Sequence, residues 1–125
     1  VHVEDLMHSG TELPKVFPDT CLLDAIREIS HKALGMTAVV DEQDNVLGIL
    51  TEGDLRRLIE QIGDIRNAKI GDVMTKSPKT IAPKELAATA AKLLSDYRCN
   101  QLLVVDGNKL VGAISMHDLM RARLI

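Results

Sequence analysis

The chain repeats itself, and no other feature limits its possible folds as strongly. VEDLM in residues 3–7 recurs as IGDVM in residues 70–74, and VFPD in 16–19 recurs as IAPK in 81–84. AVVD in 38–41 recurs as LVVD in 103–106, and GILTEGDL in 48–55 as GAISMHDL in 112–119. The offset between copies falls from 67 to 65 to 64 along the chain, as loop insertions and deletions in a duplicated unit produce. On these matches repeat 1 spans 1–62, a polar linker spans 63–69 and repeat 2 spans 70–125.

Within each copy the hydrophobic period switches between helix and strand. Leu22, Ile26, Ile29 and Ala33 share one helical face; Ala87, Ala91 and Leu94 repeat it, flanked by Ala90 and Leu93. Pro18 and Pro83 stand just ahead, where a missing N–H costs least, and mark the predicted helix starts. Residues 37–40 and 46–50, rich in β-branched side chains and joined by DEQDN, predict a hairpin. Residues 102–105 and 110–114, joined through Asp106-Gly107, predict a tighter one. Leu55, Leu58, Ile59 and Ile62 then place a closing helix over 54–62. The order β-α-β-β-α, met twice, is an α/β (α+β) fold. A unit of about 55 residues buries too little surface alone, so the copies are expected to pack sheet against sheet about a pseudo-two-fold axis, with two related clefts.

Composition removes several classes of function. Fifteen basic residues against 18 acidic ones give a net charge of −3, so no general attraction to nucleic acid or anionic lipid is expected. Phe17 and Tyr97 are the only aromatics, which leaves no stacking platform of the kind single-strand binders use. A bound base would have to rest on aliphatic side chains. Cys21 and Cys99 are too few for a disulfide scaffold or a Cys-rich zinc site, and His2, His8, His31 and His117 lack metal-ligand spacing. No metal is expected. No apolar run approaches the ~18 residues that span a bilayer, and the first ten residues lack the apolar stretch of a signal peptide. A reducing, cytoplasmic setting follows. The chain opens on Val1 rather than Met, as either a piece cut from a longer protein or a processed chain would; in the first case the chemistry is expected in the other part.

The motif with chemical potential is Thr51-Glu-Gly-Asp54 and its copy Ser115-Met-His-Asp118, each where a strand ends and a helix begins. A hydroxyl followed three positions later by an acid is a helix-capping box, and that structural role alone accounts for many such pairs. The same geometry also suits a ligand. A helix N-terminus offers unpaired N–H groups and the positive end of its dipole to a phosphate. A carboxylate one turn on can accept the hydroxyls of a ribose.

The pattern of Pro, amphipathic helix, V-V-D, hairpin and G-h-h-[ST]-x-x-D-L, occurring twice over nearly the whole chain, resembles the CBS (cystathionine-β-synthase-type) repeat. The resemblance implies a Bateman module that binds adenosine nucleotides, with Thr51 and Asp54 serving one site and Ser115 and Asp118 the other. It also implies base pockets lined by backbone around Val16 to Pro18 and Ile81 to Pro83, with Met36, Thr37, Gln101 and Leu102. DLMH in 5–8, LGMT in 34–37, GDLRR in 53–57 and MHDL in 116–119 are similar to the C-terminal module of bacterial arabinose-5-phosphate isomerases, the SIS-CBS family of Kdo biosynthesis. That closer likeness implies an N-terminal sugar-isomerase (SIS) domain in the parent chain. It also implies a regulatory ligand such as AMP, ATP or CMP-Kdo, no required cofactor, and pairing of modules in a dimeric or tetrameric parent. His117 is a phosphate donor when protonated, whereas the first copy has Gly53 there beside acidic Glu52, so the Ser115/Asp118 site is expected to bind a phosphorylated ligand more tightly.

Other readings are weaker. Ser115, His117 and Asp118 lie too close in sequence to align as nucleophile, base and orienter, so no catalytic centre is expected. Gly48 and Gly112 read as close backbone approaches within strands, and Arg56-Arg57 as solvated helix surface. The rival is a ligand-free assembly module, with Leu6, Met7, Val73 and Met74 supplying apolar contact to a partner.

Overall fold

The computed structural model describes residues 1–125. In chain order its elements are helix α1 (Val3–Leu6), a 3-10 turn (Gly10–Glu12), strand β1 (Lys15–Val16), helix α2 (Leu22–Lys32), strands β2 (Met36–Val40) and β3 (Val46–Thr51), and helix α3 (Glu52–Ile62). Then follow helix α4 (Ile70–Val73), strands β4 (Thr75–Lys76) and β5 (Thr80–Ile81), helix α5 (Ala87–Tyr97), strands β6 (Gln101–Asp106) and β7 (Lys109–Ser115), and helix α6 (Met116–Arg121). The β-α-β-β-α order occurs twice, as the repeat predicts.

Packing divides the chain differently from sequence similarity. One compact unit holds residues 14–78; the other joins residues 1–13 to residues 79–125. Each repeat's leading segment therefore completes the core of the unit built by the other repeat. Backbone hydrogen bonds show why. The α4 amides of Ile70 and Gly71 donate to Thr20 and Pro18 carbonyls at 2.9 and 2.8 Å, and the α1 amides of Val3 and Glu4 donate to Glu85 and Pro83 carbonyls at 2.8 and 3.0 Å. A helix start leaves its first N–H groups unpaired, and the proline turns supply the missing acceptors. Gly71 is required here, because a β-carbon on it would stand 2.8 Å from the Pro18 carbonyl oxygen.

The prolines consequently do not open the helices. They sit in turns four residues ahead of α2 and α5, whose N-caps are Cys21 and Leu86. The buried stripe of α2 is Leu22, Ala25 and Ile29, and that of α5 is Ala87, Ala90 and Leu94, the same spacing in both copies. Ile26 packs at the margin of its core. Ala33 lies outside the stripe; it ends α2 in a left-handed conformation at φ 59°.

In the unit of residues 14–78 the strand order is β1-β2-β3-β4, with β1 parallel to β2 and the rest antiparallel. Val16, Val39, Leu50 and Ile70 meet the α2 stripe there, and Ile65 and Ala68 pack against the same core. The residues read as a polar linker are thus docked: Ala68 accepts the Leu22 amide at 2.9 Å. In the other unit the order is β5-β6-β7, and Val3, Ile81, Leu102, Val104, Ile114 and Leu119 meet the α5 stripe. Cys21 and Cys99 are both free thiols. No helix is long and apolar enough to cross a membrane.

Candidate functional site: two hydroxyl–acid positions

Both capping boxes form. Thr51 is the N-cap of α3: its hydroxyl accepts the Asp54 amide at 3.1 Å, and Asp54 Oδ2 accepts the Thr51 amide at 3.2 Å. Ser115 caps α6 in the same way, with 3.1 Å to the Asp118 amide and 2.8 Å from its own amide to Asp118 Oδ2. Each hydroxyl and acid are therefore fixed relative to each other before any ligand arrives.

Strand register adds neighbours to each pair. Met36 lies opposite Thr51 and Gln101 opposite Ser115, so each lining residue faces its hydroxyl across a hairpin. Thr37 and Leu102 sit one residue on, and successive strand residues point to opposite faces. Leu102 belongs to the core, and Thr37 is fully buried with its hydroxyl donating to the Ala38 carbonyl at 3.1 Å. Val16 and Ile81 are buried on the parallel edge strands, registered against Val39 and Val104. The Pro18 and Pro83 carbonyls already accept backbone amides. In each unit the structure thus groups the hydroxyl and the acid, with Gln101 beside the second pair, while Met36 is fully buried and serves the core like the other lining candidates.

The two positions differ in their carboxylates. The Asp54 side chain is 22% exposed; its Oδ1 pairs with Arg57, and its Oδ2 lies 3.5 Å from the Thr75 hydroxyl. Asp118 is only 3% exposed. Its Oδ1 meets His8 Nε2 at 2.8 Å and Arg121 at 2.9 Å, while Oδ2 takes the Ser115 amide. The other ring nitrogen of His8 contacts Glu12 Oε1 at 2.9 Å. Partial burial pushes the His8 imidazole down, but the hydrogen bonds and charges of Glu12 and Asp118 outweigh it and leave the pKa raised above 6.5. His117, the expected phosphate donor, is exposed on the first turn of α6.

Sequence reasoning gave no site role to four residues that stand beside these acids. Arg57 and Arg121 each pair with the acid three residues earlier, a spacing that places them on one helical face and that both copies share. Arg56 belongs with them: a β-carbon on Gly53 would stand 3.8 Å from Arg57 Nη1, 3.8 Å from the Thr51 hydroxyl and 3.9 Å from Arg56 Nη2. The absence of a side chain at Gly53 leaves that space open beside two guanidinium groups. No local pattern marks His8, which reaches Asp118 from 110 residues away.

Comparison with known proteins agrees with this architecture. The sequence profile of the CBS domain matches residues 3–61 and 70–125. Among solved structures, CBSX2 in complex with AMP superposes with a TM-score of 0.84 at 29% identity, covering 98% of this chain and 96% of that one. A CBS domain pair solved with 5′-methylthioadenosine and S-adenosyl-L-methionine gives 0.88 at 21% identity, over 98% and 95%, and shows the shared fold. Arabinose 5-phosphate isomerase KdsD of Yersinia pestis is 43% identical over all 125 residues, and that of Pseudomonas aeruginosa 46% identical over 121. The chain spans 38% and 37% of the length of these two relatives. With two profile matches, two hydroxyl–acid pairs and this fold, the chain belongs to the CBS domain family, as a tandem pair.

Proposed function

We propose that this chain is the ligand-sensing module of an arabinose 5-phosphate isomerase, without a catalytic centre of its own, and that it binds a nucleotide or nucleotide sugar. The observation that carries this reading is the Thr51–Asp54 position. A fixed hydroxyl, a partly open carboxylate, the open face of Gly53 and the guanidinium groups of Arg56 and Arg57 converge at the start of an eleven-residue helix. An anionic phosphate is favoured by the helix end and the arginines, and ribose hydroxyls by Asp54. Identity to arabinose 5-phosphate isomerases and likeness to an AMP complex support the parent and the ligand class. AMP and ATP fit this chemistry, as does CMP-Kdo, a product downstream of such an isomerase. Met36, buried opposite Thr51, and Val16 and Pro18, on the parallel edge strand β1 and in the turn after it, belong to the first position. Ser115, His117, Asp118, Gln101, Ile81 and Pro83 make up the second. The parent's SIS domain and a cytoplasmic location belong to the same reading.

The test is calorimetric and thermal-shift titration with AMP, ATP, CMP and CMP-Kdo, on the wild type and on Asp54→Asn. Saturable binding that Asp54→Asn weakens supports the module. A well-folded chain that none of these ligands stabilises overturns it.

One observation favours an additional role in assembly. Helix α3 has no buried residue, and Ile59 and Ile62 are 46% and 48% exposed on it. Pairing of two modules along α3 would cover them, and sedimentation of the wild type against Ile59→Glu measures it.

A further inference from the structure

The two positions descend from one duplicated motif, yet their acids meet different neighbours. His8 and Thr75 are equivalent residues, each following the methionine of VEDLM or IGDVM. They also occupy equivalent places: His8 bridges to Ala113 on β7, and Thr75 pairs with Ile49 on β3. From there Thr75 presents a hydroxyl 3.5 Å from Asp54, whereas His8 places a ring nitrogen 2.8 Å from Asp118. One substitution between the copies thus separates a partly open carboxylate from a sealed one.

We propose that His8 decides which hydroxyl–acid position takes ligand: it occupies Asp118 as an internal competitor and leaves Asp54 as the receiving acid. The proposal rests on the ligand-module reading. Both acids accept three hydrogen bonds, but the Asp118 side chain is only 3% exposed against 22% for Asp54, and the His8 ring lies directly on its Oδ1, so a ribose hydroxyl reaches Asp118 by taking the place of His8. His8 is itself held from behind by Glu12 on the 3-10 turn. Two carboxylates facing the two ring nitrogens favour the imidazolium, which holds Asp118 harder than a neutral ring would. Arg121 is the one cation recorded against the same oxygen, and its pairing with Asp118 persists when His8 leaves. Closure is therefore strongest at acidic pH and relaxes as His8 loses its proton. The His8 backbone exchanges hydrogen bonds with Ala113 at 2.8 and 3.0 Å, so the ring can leave Asp118 while residues 1–13 stay docked on the unit.

The experiment exchanges the two residues. AMP stoichiometry is measured by calorimetry on the wild type, His8→Thr and Thr75→His, at about pH 6 and about pH 9. The expected result is one AMP per wild-type chain at the lower pH and a second in His8→Thr. Thr75→His should bind about tenfold more weakly or worse at the first position. A wild type that binds one AMP while His8→Thr also binds one overturns this proposal and leaves the module reading intact. Failure of AMP, ATP, CMP and CMP-Kdo alike to bind the wild type or His8→Thr overturns both. A ligand-free check follows the His8 ring by NMR: its titration midpoint should fall in Asp118→Asn, and an unchanged midpoint overturns the competition.

Discussion

The sulfur of Met7 lies over Gly112, 2.5 Å from where a β-carbon would stand, with the His8 carbonyl oxygen at 2.9 Å. Met74 covers Gly48 in the same way at 2.5 Å, with the Thr75 carbonyl oxygen at 2.8 Å. Each contact presses a leading segment onto the middle of a strand, so the glycine is fixed by close approach and not by backbone conformation.

Replacing that glycine should therefore loosen the docked segment. Gly112→Ala and Gly48→Ala force both a flexible thioether and a backbone carbonyl to move, at a cost of about 1–3 kcal/mol each. Urea unfolding measures it. Met7→Ala combined with Gly112→Ala should recover only part of the loss, because the carbonyl remains in the way.

His8 makes stability depend on pH. Its folded-state pKa is raised above 6.5, since burial lowers it less than Glu12 and Asp118 raise it. The stabilisation by the protonated ring is complete below about 6.5, the ordinary histidine value, and is lost as pH rises through the raised folded value. The stability difference between wild type and His8→Ala should be largest near about pH 6 and shrink toward about pH 9. A difference that stays flat across that range would show that His8 carries no charge in the pair.

The two caps should be felt in stability as well as in binding. Thr51→Ala and Ser115→Ala each leave a helix-start amide without its acceptor, at a cost of about 1 kcal/mol. Ligand affinity should separate them: on the proposed reading Thr51→Ala weakens AMP binding and Ser115→Ala leaves it near the wild-type value. Thermal melts with and without AMP report both effects.

Ala33 offers a change in the opposite direction. It is exposed, closes α2 at φ 59°, and gains nothing from its methyl group in that left-handed conformation. Ala33→Gly should raise stability by about 0.5–1 kcal/mol, the relief of a steric cost that glycine does not incur. Thermal unfolding of the single variant is sufficient to see it.

Much of the architecture was legible because it is local. Repetition gave the duplicated β-α-β-β-α order, alternation gave the hairpins, and the three-residue spacing of Thr51 to Asp54 and Ser115 to Asp118 gave both caps. The places where that reading departed from the structure are tertiary. Pro18 and Pro83 looked like helix starts; they form the turns that receive amides from α4 and α1. Residues 63–69 looked like a linker because they are polar, yet Ile65 and Ala68 pack against a core.

What the sequence determined by itself was the unit and the chemistry available at its strand–helix junction. Only the tertiary structure decided that leading segments 1–13 and 70–76 complete each other's repeat, and that Asp118 is sealed while Asp54 is not. The reason is physical. Periodicity records which residues share a face over a few turns, whereas His8 and Asp118 meet only after the chain has folded back across 110 positions.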